Sequence, residues 1–232
     1  MKNIAIILSG GTGTRMGLNI PKQYLVINKL PILHYSVKTF LGNDKIDMIV
    51  ICCAEEWKDF IQEHLTLLDV NKNIIYSDPG ETRQLTIYNA LKKLENICGD
   101  NDIVIIHDAA RPLVSQNLIN RCLDECCRHD GVLPVIKMKD TVYLSKDGKT
   151  IKSLLDRNQL FAGQAPEAFK YQKYIETHQR LSYEEILKIN GSTEIAYKCG
   201  LDITLIEGDD SNFKITTAED LSNFKNIIND ES

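Results

Sequence analysis

The segment Ile4-Ala5-Ile6-Ile7-Leu8-Ser9-Gly10-Gly11-Thr12-Gly13-Thr14-Arg15-Met16-Gly17 joins an unbroken apolar run to a glycine-rich loop. Five apolar residues in succession, most of them β-branched, predict a strand covered on both faces, the habit of parallel sheets. Working outward, Met48-Ile49-Val50-Ile51-Cys52 and Ile103-Val104-Ile105-Ile106 repeat this character, and Ile203-Thr204-Leu205-Ile206 is a weaker copy. Helix-period stretches lie between them at Leu33–Leu41, Glu55–Leu65, Thr86–Leu94 and Leu118–Arg128. This alternation predicts an α/β fold, a mainly parallel sheet with helices on both faces, whose ligands bind beyond the carboxyl ends of the strands.

The stretch from Lys137 to Gln164 breaks the rhythm. Val142-Tyr143-Leu144 and Thr150-Ile151-Lys152 flank Asp147-Gly148, a hairpin turn signal with little to bury by itself, so residues 137–164 read as a protruding β-arm on one domain spanning 1–232. A helical pattern resumes near Tyr171, and Thr217 is the expected N-cap of a last amphipathic helix. With 43% hydrophobic and 25% charged residues the chain is expected to fold compactly. No apolar run approaches the ~20 residues of a membrane span, and Ile4–Leu8 is too short for a signal sequence, so a cytoplasmic protein without a membrane partner is expected. The seven cysteines form no C-x-x-C pair and are expected to be reduced. Cys122, Cys126 and His129 share a helical face but lack a fourth metal ligand, which favours packing over zinc. A net charge of -5 argues against a nucleic-acid partner. That charge is unevenly spread. Before Asp44, the first acid, stand Lys2, Arg15, Lys22, Lys29 and Lys38, so the rest of the chain sums to -10.

Glycines after a buried strand let backbone N–H groups approach phosphate oxygens. The loop ends Gly17-Leu18, not Gly-Lys-Ser/Thr, so it is no Walker A motif. Met16 stands where a dinucleotide fingerprint counted from Gly11 needs glycine, and Cys52-Cys53 replaces the acid after the second strand. A nicotinamide-dependent oxidoreductase is therefore disfavoured. Pro21-Lys22-Gln23-Tyr24 follows, with a lysine restrained by proline, and Arg15 and Lys22 together read as an anion clamp. Three further loops follow strands or strand-like runs: Asp78-Pro79-Gly80-Glu81-Thr82-Arg83, His107-Asp108-Ala109-Ala110-Arg111-Pro112, and Asn212-Phe213-Lys214-Ile215-Thr216. Each has a bland reading, a capped turn or a solvated lysine. Their convergence on one sheet edge favours a site.

Taken in order, Leu8–Gly17, Pro21–Tyr24, Gly80–Arg83, His107–Pro112, Asp156-Arg157 and Asn212–Thr216 resemble the cytidylyltransferases of polyol phosphates, which include the methylerythritol-phosphate and ribitol-5-phosphate enzymes. The resemblance spans essentially the whole chain and implies a three-layer, Rossmann-like nucleotidyltransferase fold. It implies that Leu8, Ser9, Gly10, Gly11, Thr12 and Gly13 wrap CTP, and that Arg15 and Lys22 contact the phosphates undergoing transfer. Gly80, Glu81, Arg83 and Thr86 then stand in the segment for cytosine and ribose, where the family often has Asp and Ser at the positions of Glu81 and Thr86. Asp108 and Ala109 border the ribose and a possible Mg²⁺, and Arg111 and Lys214, together with Asp108, face the acceptor phosphate. Lys214 also counts with Arg15 and Lys22 as catalytic. Arg157, on the arm, is implied to reach the acceptor in a partner subunit's site, which makes the expected assembly a homodimer with exchanged arms.

Two departures fall in the acceptor region. Gln164-Ala165-Pro166-Glu167 replaces the usual Gln-Thr-Pro-Gln, and Asn190-Gly191-Ser192-Thr193 replaces Thr-Asp-Glu-Ala. With the ribitol-like look of Ser9–Arg15, they favour ribitol 5-phosphate as acceptor over methylerythritol phosphate. A relative that binds CTP without turning it over is the non-enzymatic alternative.

Overall fold

The computed structural model describes residues 1–11 and 20–230. The chain begins with β1 (Asn3–Leu8), the ribbon β2 (Val26–Ile27) and β3 (Leu30–Pro31), α1 (Ile32–Leu41), β4 (Met48–Cys52), α2 (Lys58–Leu65) and β5 (Asn73–Ser77). It continues through α3 (Arg83–Lys93), β6 (Ile103–Asp108), α4 (Gln116–Cys126) and β7 (Gly131–Lys137). The arm holds β8 (Val142–Leu144) and β9 (Ser153–Leu155), and β10 (Phe161–Gly163) and β11 (Glu167–Lys170) return to the body. Last come α5 (Tyr171–Gln179), α6 (Tyr183–Leu187), α7 (Ser192–Lys198), β12 (Ile203–Glu207) and α8 (Ala218–Asp230).

The apolar runs are unbroken because both faces of the sheet are covered. Ala5, Ile7, Ile49, Ile51 and Ile105 pack on one side with α1, α2 and α4. Ile4, Ile6, Val50, Val104 and Ile106 pack on the other with α3, α5 and α7. Alternate side chains of one strand point to opposite faces, so each run feeds two cores and the fold has three layers. α8 adds a satellite core in which Phe224 and Ile228 meet Ile32 and Ile215.

The main sheet runs β10-β7-β11-β6-β1-β4-β5, with β12 on β7. β1, β4, β5 and β6 are parallel, as are β7 and β12, while β10 and β11 are antiparallel to their neighbours. From β1 the chain moves to β4 and β5 on one side and then crosses to β6 on the other. The switch of direction therefore falls between β1 and β6, the crevice where such sheets bind ligands. The register pairs Leu8 with Asp108 at its mouth.

Boundaries differ from the periodicity where side chains cap. α3 starts at Arg83 because the Thr82 hydroxyl accepts the Leu85 N–H. Ser115 does the same for α4 through the Leu118 N–H, and residues 55–57 form a 3₁₀ turn before α2. Thr217 caps α8 as expected, its hydroxyl accepting from the Asp220 N–H at 3.1 Å. In the arm, β8 pairs with 153–155 instead of the expected 150–152. The Asp147 carboxylate takes the N–H groups of Lys149 and Thr150, each at 2.9 Å, and so lengthens the turn.

Cys122 and Cys126 are buried, and burial pushes the Cys126 thiol up to about 12, so both are packing residues. His129 pairs with Asp202 at 2.8 Å. No group of three or more metal-binding side chains occurs among the described residues.

Burial lowers His34, His107 and His178 to about 4. The unfolded chain takes up their protons near pH 6.5, so the stability of the neutral, buried forms is present above that pH and is lost as pH falls toward 4. Urea denaturation should give an unfolding free energy that declines steadily between about pH 6.5 and pH 4. A flat profile across that window would contradict the burial of neutral imidazoles.

Candidate active site

The loop after β1 is held at its root. The Gln23 amide donates to the carbonyls of Ser9 and Gly11 at 2.7 and 2.6 Å. The Tyr24 hydroxyl donates to the Ser9 carbonyl at 2.8 Å and accepts from the Ser9 hydroxyl at 3.0 Å. Tyr24 in turn stacks on Trp57, with centroids 4.2 Å apart. Lys22 opens the 3₁₀ turn Lys22–Tyr24 and is half-buried. Thr12, Gly13 and Arg15 lie outside the described residues. At Gly10 a Cβ would stand 2.4 Å from the Pro79 Cβ, which shows that the loops after β1 and β5 touch.

Beyond Pro79, a Cβ at Gly80 would meet the Leu85 Cβ at 2.4 Å and the Thr86 nitrogen at 3.0 Å. Glycine is required there because the loop folds down onto the start of α3. The Gly80 N–H donates to the Thr86 hydroxyl at 3.0 Å, and that hydroxyl donates to the Thr82 carbonyl at 3.0 Å. Glu81 is exposed on the rim.

The centre is Asp108, the last residue of β6. Arg83 Nε reaches its Oδ1 at 3.3 Å, Lys214 Nζ its Oδ2 at 2.9 Å, and Arg111 Nε stands 3.7 Å from Oδ2. Burial alone would push this carboxyl up, but Arg83 first, then Lys214 and Arg111, hold it well below the usual carboxylate range. Ala109 donates its N–H to the Leu8 carbonyl at 3.0 Å, joining the centre to the first loop. Arg111 is fixed by donation from Nη1 to the Asn212 carbonyl at 2.7 Å, and its own carbonyl takes the Ser36 hydroxyl at 3.1 Å.

Arg83 is the first residue of α3, where the helix dipole disfavours a cation. Two carboxylates offset this: Asp108, and Glu167, whose Oε1 lies 3.2 Å from Arg83 Nη2. Arg83 also donates to the Ser192 hydroxyl. The other Glu167 oxygen accepts from the Thr193 N–H at 2.9 Å and the Thr193 hydroxyl at 2.6 Å. Both departures in the acceptor region therefore meet at Arg83. Three cations, Arg83, Arg111 and Lys214, stand against two carboxylates, which leaves one positive charge over. Lys214, at 34% side-chain exposure, is the most open to solvent of the three cations.

Among the described residues, Arg157 is an expected site residue that the fold holds apart within the protomer. It lies exposed on the arm, where Nη1 donates to the Lys139 carbonyl at 2.8 Å. Asp108 does not fit the expected magnesium ligand, because the three cations paired with it would repel a divalent ion. Gln23, Tyr24, Glu167, Ser192 and Thr193 were not among the expected site residues. Their signal in sequence was membership of a motif or a departure from one: Gln23 and Tyr24 stand in Pro21–Tyr24, and Glu167, Ser192 and Thr193 in the two changed stretches of the acceptor region.

The family model described as 2-C-methyl-D-erythritol 4-phosphate cytidylyltransferase, IspD, matches residues 3–230. The chain belongs to this family. It is 37% identical over 221 residues to the 2-C-methyl-D-erythritol 4-phosphate cytidylyltransferase of Clostridium beijerinckii, covering 94% of each chain. It is also 30% identical over 234 residues to the ribitol-5-phosphate cytidylyltransferase of Lacticaseibacillus paracasei, covering 98% of each. The crystal structure of 4-diphosphocytidyl-2C-methyl-D-erythritol synthase from Anaerococcus prevotii superposes with a TM-score of 0.80 at 25% identity, covering 98% of this chain and 95% of that one. The enzyme is thus a nucleotidyltransferase of the cytidylyltransferase type, and the crevice at Asp108 is its candidate centre.

Replacing Asp108 with Asn leaves its cations without a counter-charge. We expect Asp108→Asn to lose about 3 kcal/mol in urea denaturation at pH 7, the scale of a broken buried pair. Because the folded carboxyl is held low, its contribution is present above the unfolded value near 3.9 and lost as pH falls through the folded one. The difference from the parent should therefore be full above about pH 4 and narrow only below it. Equal stability at pH 7 would contradict the charge network.

Proposed function

We propose that the enzyme transfers CMP from CTP to D-ribitol 5-phosphate, releasing pyrophosphate and forming CDP-ribitol. The observation that carries the acceptor-phosphate site is the surplus cation at Lys214 and Arg111, placed in the β1–β6 crevice beside the Ser9–Gly11 loop. CTP lies along that loop, its base and ribose toward Gly80, Glu81, Arg83 and Thr86, with Asp108 and Ala109 at the ribose. Arg15 and Lys22 hold the phosphates.

An acceptor phosphate oxygen attacks the α-phosphorus in line, the bond to the bridging β-oxygen breaks, and pyrophosphate leaves with the electron pair. A phosphate monoester has its second pKa near ~6, so the nucleophile is an anion at neutral pH and needs no general base. His107 fits this economy. It is buried, lowered to about 4, and contacts the Arg111 carbonyl at 3.0 Å, supporting the turn. What the reaction requires is cations that bring two polyanions together and stabilise the charge gathering at phosphorus. Magnesium enters as part of the CTP substrate, on its phosphate oxygens, since Asp108 does not fit a resident ion.

Support for ribitol 5-phosphate comes from Ala165, which supplies no hydroxyl, and from Ser192 and Thr193, whose hydroxyls are engaged with Arg83 and Glu167. The 37% identity to a methylerythritol-phosphate enzyme supports that acceptor as the second reading. We further propose a homodimer in which Arg157 reaches the partner's acceptor site. The arm exposes Tyr143, Leu144, Ile151 and Leu154, an apolar surface that a second copy would cover. No helix among the described residues is long and apolar enough to cross a membrane, and the reaction is assigned to the cytoplasm, with neither membrane nor nucleic acid as partner.

Pyrophosphate release should be fastest with CTP and ribitol 5-phosphate in a panel of polyol phosphates. Faster release with methylerythritol phosphate would reverse the acceptor, and release with none would favour a CTP-binding relative without turnover. Lys22→Ala and Arg15→Ala should each lower turnover by roughly 10²–10³. Near-normal turnover in purified Lys22→Ala would exclude the phosphate clamp.

A further inference from the structure

We infer that Gln164 is a positioning residue that fixes the Lys214 loop to the root of the arm. This rests on the reading of Lys214 as an acceptor-phosphate contact. Gln164 follows β10 directly and is only 6% exposed. Its amide clasps the backbone of Asp209 from both sides: Nε2 donates to the Asp209 carbonyl at 2.9 Å, and Oε1 accepts from the Asp209 N–H at 2.9 Å. Its own N–H donates to the Pro134 carbonyl at 2.8 Å, so the clasp is anchored in β7. Gly208 makes room for it, since a Cβ there would stand 2.5 Å from Gln164 Oε1 and 3.1 Å from the Val135 carbonyl.

Next in the chain, the Ala165 carbonyl accepts from Asn212 Nδ2 at 2.7 Å, and Asn212 is fully buried. Two residues on, Lys214 reaches Asp108, and the Ile215 N–H donates to the Ala110 carbonyl at 2.8 Å. The stretch from Asp209 to Lys214 is therefore moored at its start by Gln164, in the middle by Ala165 and at its end by the Asp108 turn. The first two moorings belong to the foot of the arm. β7 and β10, which pair through Lys137–Phe161, Ile136–Ala162 and Val135–Gly163, are its two feet. On the other foot, Lys139 Nζ meets Asp210 Oδ2 of the same loop at 2.6 Å, although an exposed pair of this kind adds little. The pose of the arm is carried along β10 into Gln164 and from there to the lysine. The side-chain bonds of Gln164 and the bond at the Ala165 carbonyl fall on Asp209 and Asn212, and the nucleotide segment Gly80–Thr86 is reached only further on, through Asp108, so the first effect of loosening the clasp falls on Lys214 and the acceptor.

The test replaces Gln164 with Leu, which keeps its bulk and removes both bonds. The KM for the acceptor should rise roughly tenfold, equivalent to about 1.4 kcal/mol, while the KM for CTP changes by less than about twofold. In hydrogen-exchange mass spectrometry the amides of residues 209–215 should lose protection while those of residues 78–86 keep theirs. That readout needs no turnover. If the parent enzyme transferred CMP to no acceptor, the acceptor reading would fail while the exchange result still decided the clasp. Parallel rises in both KM values, or unchanged exchange at 209–215, would overturn the inference. Should Gln164→Leu not fold, Gln164→Glu keeps the bond from the Asp209 N–H, loses the one to its carbonyl, and must shift the same two readouts in the same direction.

Discussion

A carboxylate at the end of a buried central strand constrains everything around it. Asp108 ends β6, whose residues are all buried, and an unpaired charge there would cost several kcal/mol. The chain answers with cations from three places: Arg83 at the head of α3, Arg111 from the turn that follows, and Lys214 from the loop before α8. Bringing in Arg83 creates a second demand, because a guanidinium at a helix start needs its own counter-charge, and Glu167 supplies it. The count stops one carboxylate short, and the proposed acceptor phosphate would make up that imbalance.

The location follows from topology. The sheet changes direction between β1 and β6, so the glycine loop leaving one strand and the acidic end of the other open onto the same gap. The two halves of the proposed reaction are then served by different scaffolding. The nucleotide side is built from loops clasped by Gln23 and Tyr24 and packed at Gly10 and Pro79. The acceptor side is built from Arg111 and the Lys214 loop, tied to the arm. Arg83 is where the halves meet, since Glu167 and Ser192 from the acceptor departures and Asp108 all bond to it.

Much of this was legible in the chain because unbroken apolar runs admit few structures. Ile4–Leu8, Met48–Cys52 and Ile103–Ile106 became the central parallel strands; Ser9 follows the first, Asp108 ends the third with Arg111 just beyond it, and Gly80 follows β5. β7 was less legible, since Pro134 interrupts its pattern; there its carbonyl receives the Gln164 N–H. Partnerships across the chain were not readable from spacing. Arg83 and Asp108 are 25 residues apart and Arg83 and Glu167 are 84 apart, and only the sheet brings them together. Glu167 stood out in sequence as a departure from Gln, and the reason is electrostatic: it is Arg83's second carboxylate.

The central claim is that the surplus charge at Lys214 holds the acceptor phosphate and leaves the nucleotide alone. Titration calorimetry tests it most directly, with CTP and the polyol phosphate turned over fastest each titrated into the parent enzyme and Lys214→Ala. The account predicts an acceptor affinity at least about tenfold weaker in the variant, the loss of one charge-assisted hydrogen bond, with CTP affinity within about twofold of the parent. An acceptor that binds both proteins equally, or a CTP affinity that falls in parallel, would contradict it.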